Sequence, residues 1–145
     1  MFFVFLIALL AVPPTQLTWV STTSAATVKP GGVAKLVLDI TPGPKMHVYA
    51  PGAKDYVPIE LELNSAGVRA GKLTYPPSQD WYFEPTKEHI PVYQAPFKLA
   101  QDIVIASTVK PGTLIVTGVL KYQACDDTIC YNPVTAPVSW TVSVK

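Results

Sequence analysis

The two cysteines of the chain, Cys125 and Cys130, are separated by four residues and are the side chains best suited to chemistry. A disulfide needs Cα atoms about 4.4–6.8 Å apart, whereas five extended steps span about 17 Å, so a bond between them requires the segment to fold back on itself. Through chain entropy, a ring of six residues contributes only about 2 kcal/mol to stability, against more than about 4.5 kcal/mol for a ring of 100 residues. The close spacing therefore favours a disulfide that opens and closes over one that serves as a staple.

Asp126 and Asp127 directly follow the first cysteine. A neighbouring carboxylate disfavours a thiolate, so we expect a weak nucleophile until a partner rearranges the site. This argues against a cysteine protease, whose nucleophile lies beside a histidine. The two histidines, His47 and His89, form no such pattern, and together with two cysteines they match no usual zinc motif. We therefore expect no metal and no organic cofactor, with the electrons carried by the dithiol itself.

An aromatic run, Trp81-Tyr82-Phe83, lies in residues 78–88, which show no period of two or of 3.6. Its rings either fold back on the core as a lid or shield the cysteine pair until a partner arrives. His47 and Tyr49 share one face of a short predicted strand, where they belong either to the core or to a wall beside the cysteines. The residues alone leave both choices open.

The composition is that of one folded domain. The chain has 145 residues, of which 49% are hydrophobic and 14% charged, and its 15 prolines disfavour long helices. A net charge of +1, without any cluster of Lys or Arg, gives no support to nucleic-acid binding.

The first 28 residues carry no charged side chain. Residues 1–12 are apolar but too short to span a bilayer, and Ser24-Ala25-Ala26 is a small-residue run of the kind that signal peptidase recognises. We therefore expect residues 1–26 to be a signal peptide or an N-terminal apolar anchor and residues 27–145 to be the domain, although no Lys or Arg precedes the apolar stretch. The alternative is an apolar first strand of the domain. Export would place the chain where disulfides persist.

Beyond residue 32 the sequence alternates between apolar and polar residues in short runs separated by Pro and Gly. This pattern predicts an all-β fold, an immunoglobulin-like antiparallel β-sandwich with seven or eight strands. The predicted strands are residues 33–40, 47–50, 57–63, 68–75, 90–99, 103–109, 113–121 and 138–144.

Residues 122–135 (YQACDDTICYNPVT) resemble the cysteine segment of a known family, the N-terminal periplasmic domains of the thiol:disulfide interchange protein DsbD. Residues 45–52 (KMHVYAPG) are similar to a strand end of that family, and Tyr75-Pro76 and Pro91-Val92-Tyr93 fit its middle. The resemblance covers residues 28–145. It implies an immunoglobulin-like domain of the bacterial periplasm, either free or tethered to the membrane.

The resemblance also implies roles for individual residues. Cys130 would form mixed disulfides with partners, and Cys125 would resolve them. A cap loop that shields the cysteines would contain Asp80, Trp81, Tyr82 and Phe83. The wall of the site would consist of His47, Tyr49, Tyr122, Asp126, Asp127 and Tyr131.

The sequence departs from the family in three respects. Its cysteine loop is one residue shorter than in the best-known members, and His47 stands where a tyrosine is expected. Three aromatic residues also compete for the role of the shielding ring. Because the chain includes neither a transmembrane bundle nor a thioredoxin-like C-X-X-C motif, we expect either a fragment of a longer reductase or a domain served by a separate membrane partner.

The function implied is a component of a protein-disulfide reductase. The domain would take electrons from a thioredoxin-like domain or a membrane reductase and pass them to an oxidised periplasmic disulfide isomerase or a similar acceptor. The alternative is a structural or adhesive β-sandwich whose short disulfide only rigidifies a hairpin.

Overall fold

The computed structural model describes residues 15–145. This part of the chain consists of strands joined by turns and loops. The strands are β1 (Leu17–Thr23), β2 (Val33–Pro42), β3 (His47–Tyr49), β4 (Glu60–Leu63), β5 (Val68–Thr74), β6 (Gln79–Phe83), β7 (Glu88–Tyr93), β8 (Phe97–Ile105), β9 (Gly112–Tyr122), β10 (Ala124–Cys125) and β11 (Val134–Val144). Within the described residues, no helix is long and apolar enough to cross a membrane.

The strands form three sheets whose ladders are antiparallel. One has the order β1-β2-β8-β5, the second β11-β9-β4 and the third, smaller in area, β10-β3-β7-β6. The main core takes buried side chains from the inner faces of the first two sheets, as in a sandwich; they include Leu36, Leu38, Leu99, Val116, Leu120 and Trp140. The all-β antiparallel sandwich predicted from the alternation is confirmed.

Alternation of side chains explains how the long strands build this core. In β11, Val138, Trp140 and Val142 are buried, whereas Ser139 and Thr141 between them are exposed. Successive side chains of a strand point to opposite faces, so such a sequence buries one face of the sheet. The indole of Trp140 satisfies its buried N–H by donating to the backbone carbonyl of Val37 at 2.9 Å.

The third sheet has two apolar faces rather than one. On one face Val48, Tyr93 and Ala124 join the main core. Tyr49, Val92 and Cys125, which are adjacent to them in sequence, point the other way and form a separate buried cluster with Ile90. The sheet therefore holds the cysteine pair on the face that points away from the main core.

The folded domain extends further toward the N-terminus than the boundary that we expected between residues 26 and 27. Strand β1 pairs with β2 along its whole length, from Leu17 opposite Pro42 to Thr23 opposite Leu36. It is thus an integral strand of the sandwich. The apolar residues 1–12, on which the signal-peptide prediction depends, lie outside the described residues.

Residues 78–88 differ from the irregular segment that the sequence suggested. They contain β6, which pairs with β7 in a hairpin, from Gln79 opposite Val92 to Phe83 opposite Glu88. Pro91 lies in β7, where its carbonyl accepts a hydrogen bond from the Ala50 N–H at 2.9 Å. Since proline has no N–H to return, the ladder between β3 and β7 ends at Tyr49 and Val92.

Candidate redox site

Cys125 and Cys130 form a disulfide, and their Cα atoms are 4.0 Å apart, slightly closer than the usual range. The segment therefore folds back on itself, as the sequence required for pairing. The two cysteines differ in accessibility: Cys125 is 1% exposed at the end of β10, whereas Cys130 is exposed. Cys130 is thus the residue of the pair that another protein can approach.

Backbone hydrogen bonds place the two cysteines opposite each other. The Asp126 N–H donates to the Ile129 carbonyl and the Tyr131 N–H to the Ala124 carbonyl, both at 2.9 Å. This is the pattern of a non-hydrogen-bonded antiparallel pair, in which the N–H and C=O of each cysteine point away from the other. The backbone groups of Cys130 consequently face outward and have no backbone partner among residues 15–145.

The carboxylate of Asp126 holds the loop between the cysteines. Its Oδ1 accepts from the N–H groups of Thr128 and Ile129, each at 2.7 Å, and its Oδ2 accepts from the Tyr131 hydroxyl at 2.8 Å. These bonds stabilise the charged form, so the pKa of Asp126 lies below its usual value, while the same contact raises the pKa of Tyr131. Asp126 therefore builds the tight turn that the ring of six residues requires.

The hydroxyl of Tyr49 contacts both sulfurs. It lies 3.0 Å from Sγ of Cys125 and 3.6 Å from Sγ of Cys130. Because disulfide sulfurs carry no hydrogen, the phenol is the donor in these contacts. Burial, with a smaller effect from the neighbouring Tyr56, raises the pKa of Tyr49 well above its ordinary value. The Tyr49 hydroxyl therefore stays protonated and can donate a hydrogen bond to a thiolate.

Two residues missing from the predicted set support this arrangement. Tyr56 stacks on Tyr49 with ring centroids 4.1 Å apart. Gln123 accepts from the Val57 N–H at 3.1 Å and donates to the Tyr131 carbonyl at 3.4 Å, so it ties two loops together. Tyr56 lies in a loop without any motif, whereas Gln123 belongs to the YQAC run and could have been found there.

Trp81 and Phe83, which we call the aromatic shield, pack beside the disulfide. Their rings are 5.2 Å apart. Together with the cysteines they line a cavity of about 100 Å³, whose other lining residues are Tyr49, Tyr56, Asp126, Asp127, Thr128 and Ile129. Of the aromatic run Trp81-Tyr82-Phe83, Trp81 and Phe83 thus lie beside the cysteines.

Asp80 and Tyr82, which we expected in the cap loop, point to the opposite face of β6. The Asp80 carboxylate lies 2.6 Å from Nδ1 of His89, and the Tyr82 ring is 5.0 Å from the His89 ring. The physical reason is the period of two: in a strand, residues 80 and 82 cannot share a face with residues 81 and 83. Neither residue lines the cavity at the disulfide.

His47 lies directly opposite Cys125 in the ladder between β3 and β10 and is 4% exposed. Its ring is 4.3 Å from that of Trp81 and meets Tyr49 edge-on at 5.6 Å. Burial lowers the pKa of His47, while the nearby carboxylates of Asp127 and Asp126 oppose this effect. Of the wall residues expected from the sequence, His47 thus lies against the shield.

Tyr122 lies apart from the disulfide cavity. It is 6% exposed and belongs to the main core, on the same face of β9 as Leu120. Its position as the first residue of the YQAC run suggested the site, but the alternation along β9 directs its ring to the other side of the sheet. Asp127, in contrast, is exposed at the rim of the cavity.

Comparison with known proteins gives one family. The family described as "Thiol:disulfide interchange protein DsbD, N-terminal" matches residues 16–140. A search of curated proteins found no match.

Two solved structures share the fold. The N-terminal domain of DsbD from Neisseria meningitidis, in its reduced form, aligns with a TM-score of 0.53 and 17% identity, over 86% of each chain. The N-terminal periplasmic domain of ScsB from Proteus mirabilis aligns with a TM-score of 0.53 and 13% identity, over 88% of this chain and 51% of that one. These likenesses confirm the immunoglobulin-like β-sandwich predicted from the sequence.

Proposed function

The chain belongs to the family of N-terminal domains of the thiol:disulfide interchange protein DsbD, and we propose that it relays electrons between two protein partners through Cys125 and Cys130. Its general chemistry is thiol–disulfide interchange, as the family and the disulfide indicate. The proposed donor is a thioredoxin-like domain or a membrane reductase, and the proposed acceptor is an oxidised periplasmic disulfide isomerase or a similar protein.

The observation that carries this proposal is the difference between the two sulfurs. Cys130 is exposed, whereas Cys125 is buried and its sulfur lies 3.0 Å from the Tyr49 hydroxyl. Thiol–disulfide exchange needs one sulfur that a partner can reach and one that can leave and return. We assign the first role to Cys130 and the second to Cys125.

When the domain is reduced, a donor thiolate attacks Sγ of Cys130 and the bond to Cys125 breaks. Cys125 leaves as a thiolate, which the Tyr49 hydroxyl stabilises by donating a hydrogen bond. The second thiolate of the donor then attacks the donor's own sulfur in the mixed disulfide and releases Cys130. Two electrons have passed to the domain, two protons are taken up by its thiols, and the donor is left as a disulfide.

When the domain is oxidised, the Cys130 thiolate attacks one sulfur of the acceptor's disulfide, and the other acceptor sulfur leaves as a thiolate. Cys125 loses its proton and attacks Sγ of Cys130 in the mixed disulfide. The remaining acceptor sulfur leaves, and the Cys125–Cys130 bond forms again. The acceptor has gained the two electrons that the donor supplied.

Trapping with single variants tests these roles. Cys125→Ser, with its Cys130 thiol first converted to a disulfide with thionitrobenzoate, should form a mixed disulfide with a thioredoxin-like domain whose own resolving cysteine is serine, and thionitrobenzoate is released as the leaving group. Cys130→Ser, the matched control, should form little adduct because its remaining thiol is buried. Equal trapping by both variants would contradict the assigned roles. No trapping by either would support the alternative of a structural β-sandwich with a rigidifying disulfide.

We also propose that the domain works in the periplasm, exported by its apolar N-terminus. The uncharged first 28 residues support this, and so does the periplasmic location of the ScsB domain that shares the fold. Fractionation of cells that express the natural gene would test it, since recovery in the cytoplasm would contradict export.

A further inference from the structure

The imidazole of His47 has an unusual environment for a group that can become charged. It is 4% exposed, and its Nε2 has no hydrogen-bond partner among residues 15–145. One side of the ring lies against Trp81 at 4.3 Å, and its neighbour along β3 is Tyr49, which contacts both sulfurs. The ring thus occupies the space between the aromatic shield and the phenol that contacts the disulfide.

This environment suits an uncharged ring. An imidazolium has two N–H donors, and a buried donor without an acceptor is costly. The charged groups around the ring come from two segments: Asp126 and Asp127 lie in the cysteine loop, and Lys45 precedes β3. The neighbouring elements β6 and β7 contribute Trp81 and, just beyond β7, Gln94, which are uncharged.

Protonation would change the packing in a definite direction. A cavity of about 250 Å³, lined by Lys45, Met46, His47, Trp81, Gln94 and Asp127, lies beside the ring. An imidazolium gains water and the Asp127 carboxylate by moving toward this cavity, and Trp81 is the side chain packed against it. Since Trp81 also lines the disulfide cavity, its displacement widens the approach to the disulfide.

We propose that His47 is a positioning residue for the aromatic shield: its uncharged ring supports Trp81 beside the disulfide, and protonation of that ring releases Trp81. The inference rests on the exchange function proposed above, because a shield matters only where the disulfide reacts. It makes access to the disulfide depend on pH near neutrality. A tyrosine at position 47, as the family resemblance led us to expect, would stay uncharged in that range.

The test uses the oxidised full chain and the small reductant tris(2-carboxyethyl)phosphine, with the new thiols trapped and counted. The rate for wild type is divided by the rate for His47→Phe at each pH, which cancels the reductant's own pH dependence. We expect the ratio of the two rates to be constant at about pH 8 and to rise as the pH falls below 6.5. Because one proton is bound, the rise should not exceed about tenfold per pH unit.

The other histidine provides a matched control. His89 is exposed on the outer face of the β6–β7 hairpin, the hairpin that carries Trp81. His89→Gln should therefore keep the pH dependence of wild type. His47→Gln, which cannot titrate, should lose it. If His47→Phe does not fold, the wild-type rate is divided instead by that of His47→Gln.

A second readout follows the contact itself. The fluorescence of Trp81, obtained as the difference between wild type and Trp81→Phe, should change with the same midpoint as the NMR shift of the His47 Cε1 proton. A flat rate ratio, or a fluorescence change that His47→Phe retains, would overturn the inference. Failure of Cys125→Ser to trap a partner would instead overturn the exchange function, so the two failures are distinguishable.

Discussion

The Tyr49 hydroxyl lies 3.0 Å from the buried sulfur of Cys125, and the Tyr49 side chain is itself fully buried. Stacking of Tyr56 fixes one side of the ring, and β3 fixes its backbone. The leaving thiolate would otherwise form in an apolar cluster, where a charge without a hydrogen bond is unfavourable. The rate of exchange should therefore depend on this one oxygen.

Tyr49→Phe removes the donor and keeps the ring. A hydrogen bond to a charged group contributes about 1.5–3 kcal/mol, so reduction by a thioredoxin-like domain should slow by about 10- to 100-fold. Stopped-flow measurement of the reduction rate checks this. Tyr56→Phe keeps the stacked ring and leaves the Tyr49 hydroxyl at the sulfurs, so it should slow the reaction much less than Tyr49→Phe. An unchanged rate in Tyr49→Phe would exclude the phenol from the step.

Asp126 makes stability depend on pH. Its pKa is lowered in the folded protein by the Ile129 and Thr128 N–H groups and the Tyr131 hydroxyl, so the unfolded chain binds its proton more readily. The resulting stability is present above the ordinary carboxyl pKa and is lost as the pH falls through the lower folded value. Urea unfolding should show wild type more stable than Asp126→Asn above about pH 5, with the difference shrinking toward about pH 2. A difference that grows on acidification would contradict this.

Residues next to a motif were easier to predict than residues brought to it by folding. Tyr49 and the cysteine loop follow from the resemblance, and Tyr131 reaches Asp126 within one turn. Tyr56 is more than 60 residues from Cys125 and belongs to no pattern, so only the folded chain brings it to the site. Tyr122 shows the opposite error. It is close to Cys125 in sequence, but the alternation along its strand directs it into the main core.

At the scale of elements, the β6–β7 hairpin separates two aromatic faces. Trp81 and Phe83 face the disulfide, while Tyr82 lies against His89 on the outer face. The sequence shows no alternation here because both faces carry aromatic rings. The residues alone therefore did not predict that β6 pairs with β7.

The two faces give a matched pair of variants. Trp81→Ala should open the cavity and increase the rate of disulfide reduction by glutathione several-fold. Tyr82→Ala removes a ring of similar size from the other face and should leave that rate unchanged. Thiol trapping at fixed glutathione concentration compares them. If Tyr82→Ala gave the larger increase, the shield would have been assigned to the wrong face.

At the scale of the molecule, the redox cluster and the main core lie on opposite faces of the third sheet. The sandwich depends on side chains such as Leu36, Leu120 and Trp140, none of which lines the cavity at the disulfide. A change of redox state at the disulfide is therefore compatible with an intact fold.

The double variant Cys125→Ser/Cys130→Ser should consequently remain folded. Closure of a six-residue ring contributes about 2 kcal/mol in the chain-entropy description, so the free energy of unfolding should fall by about that amount. Urea titration followed by tryptophan fluorescence measures the change. Unfolding of the double variant would indicate a structural staple instead.

The overall architecture was the most predictable level because it depends on repeated alternation rather than on single contacts. Every second residue is buried from Ala34 to Ile40 in β2 and from Val138 to Val144 in β11, so the face that enters the core is set by several residues at once. The start of the domain was less predictable. Small, uncharged residues near Ser24 suit both a cleavage site and the end of an edge strand, and the pairing of β1 with β2 appears only in the fold.

The central claim is that Cys125 and Cys130 form a working redox couple, and their reduction potential tests it most directly. The oxidised domain is equilibrated with glutathione or dithiothreitol buffers, and the thiols are trapped at each ratio. We expect a value between about −270 and −120 mV, the range of thioredoxin-like proteins with which the domain would exchange electrons. A value well below about −300 mV, typical of structural disulfides, would contradict the account.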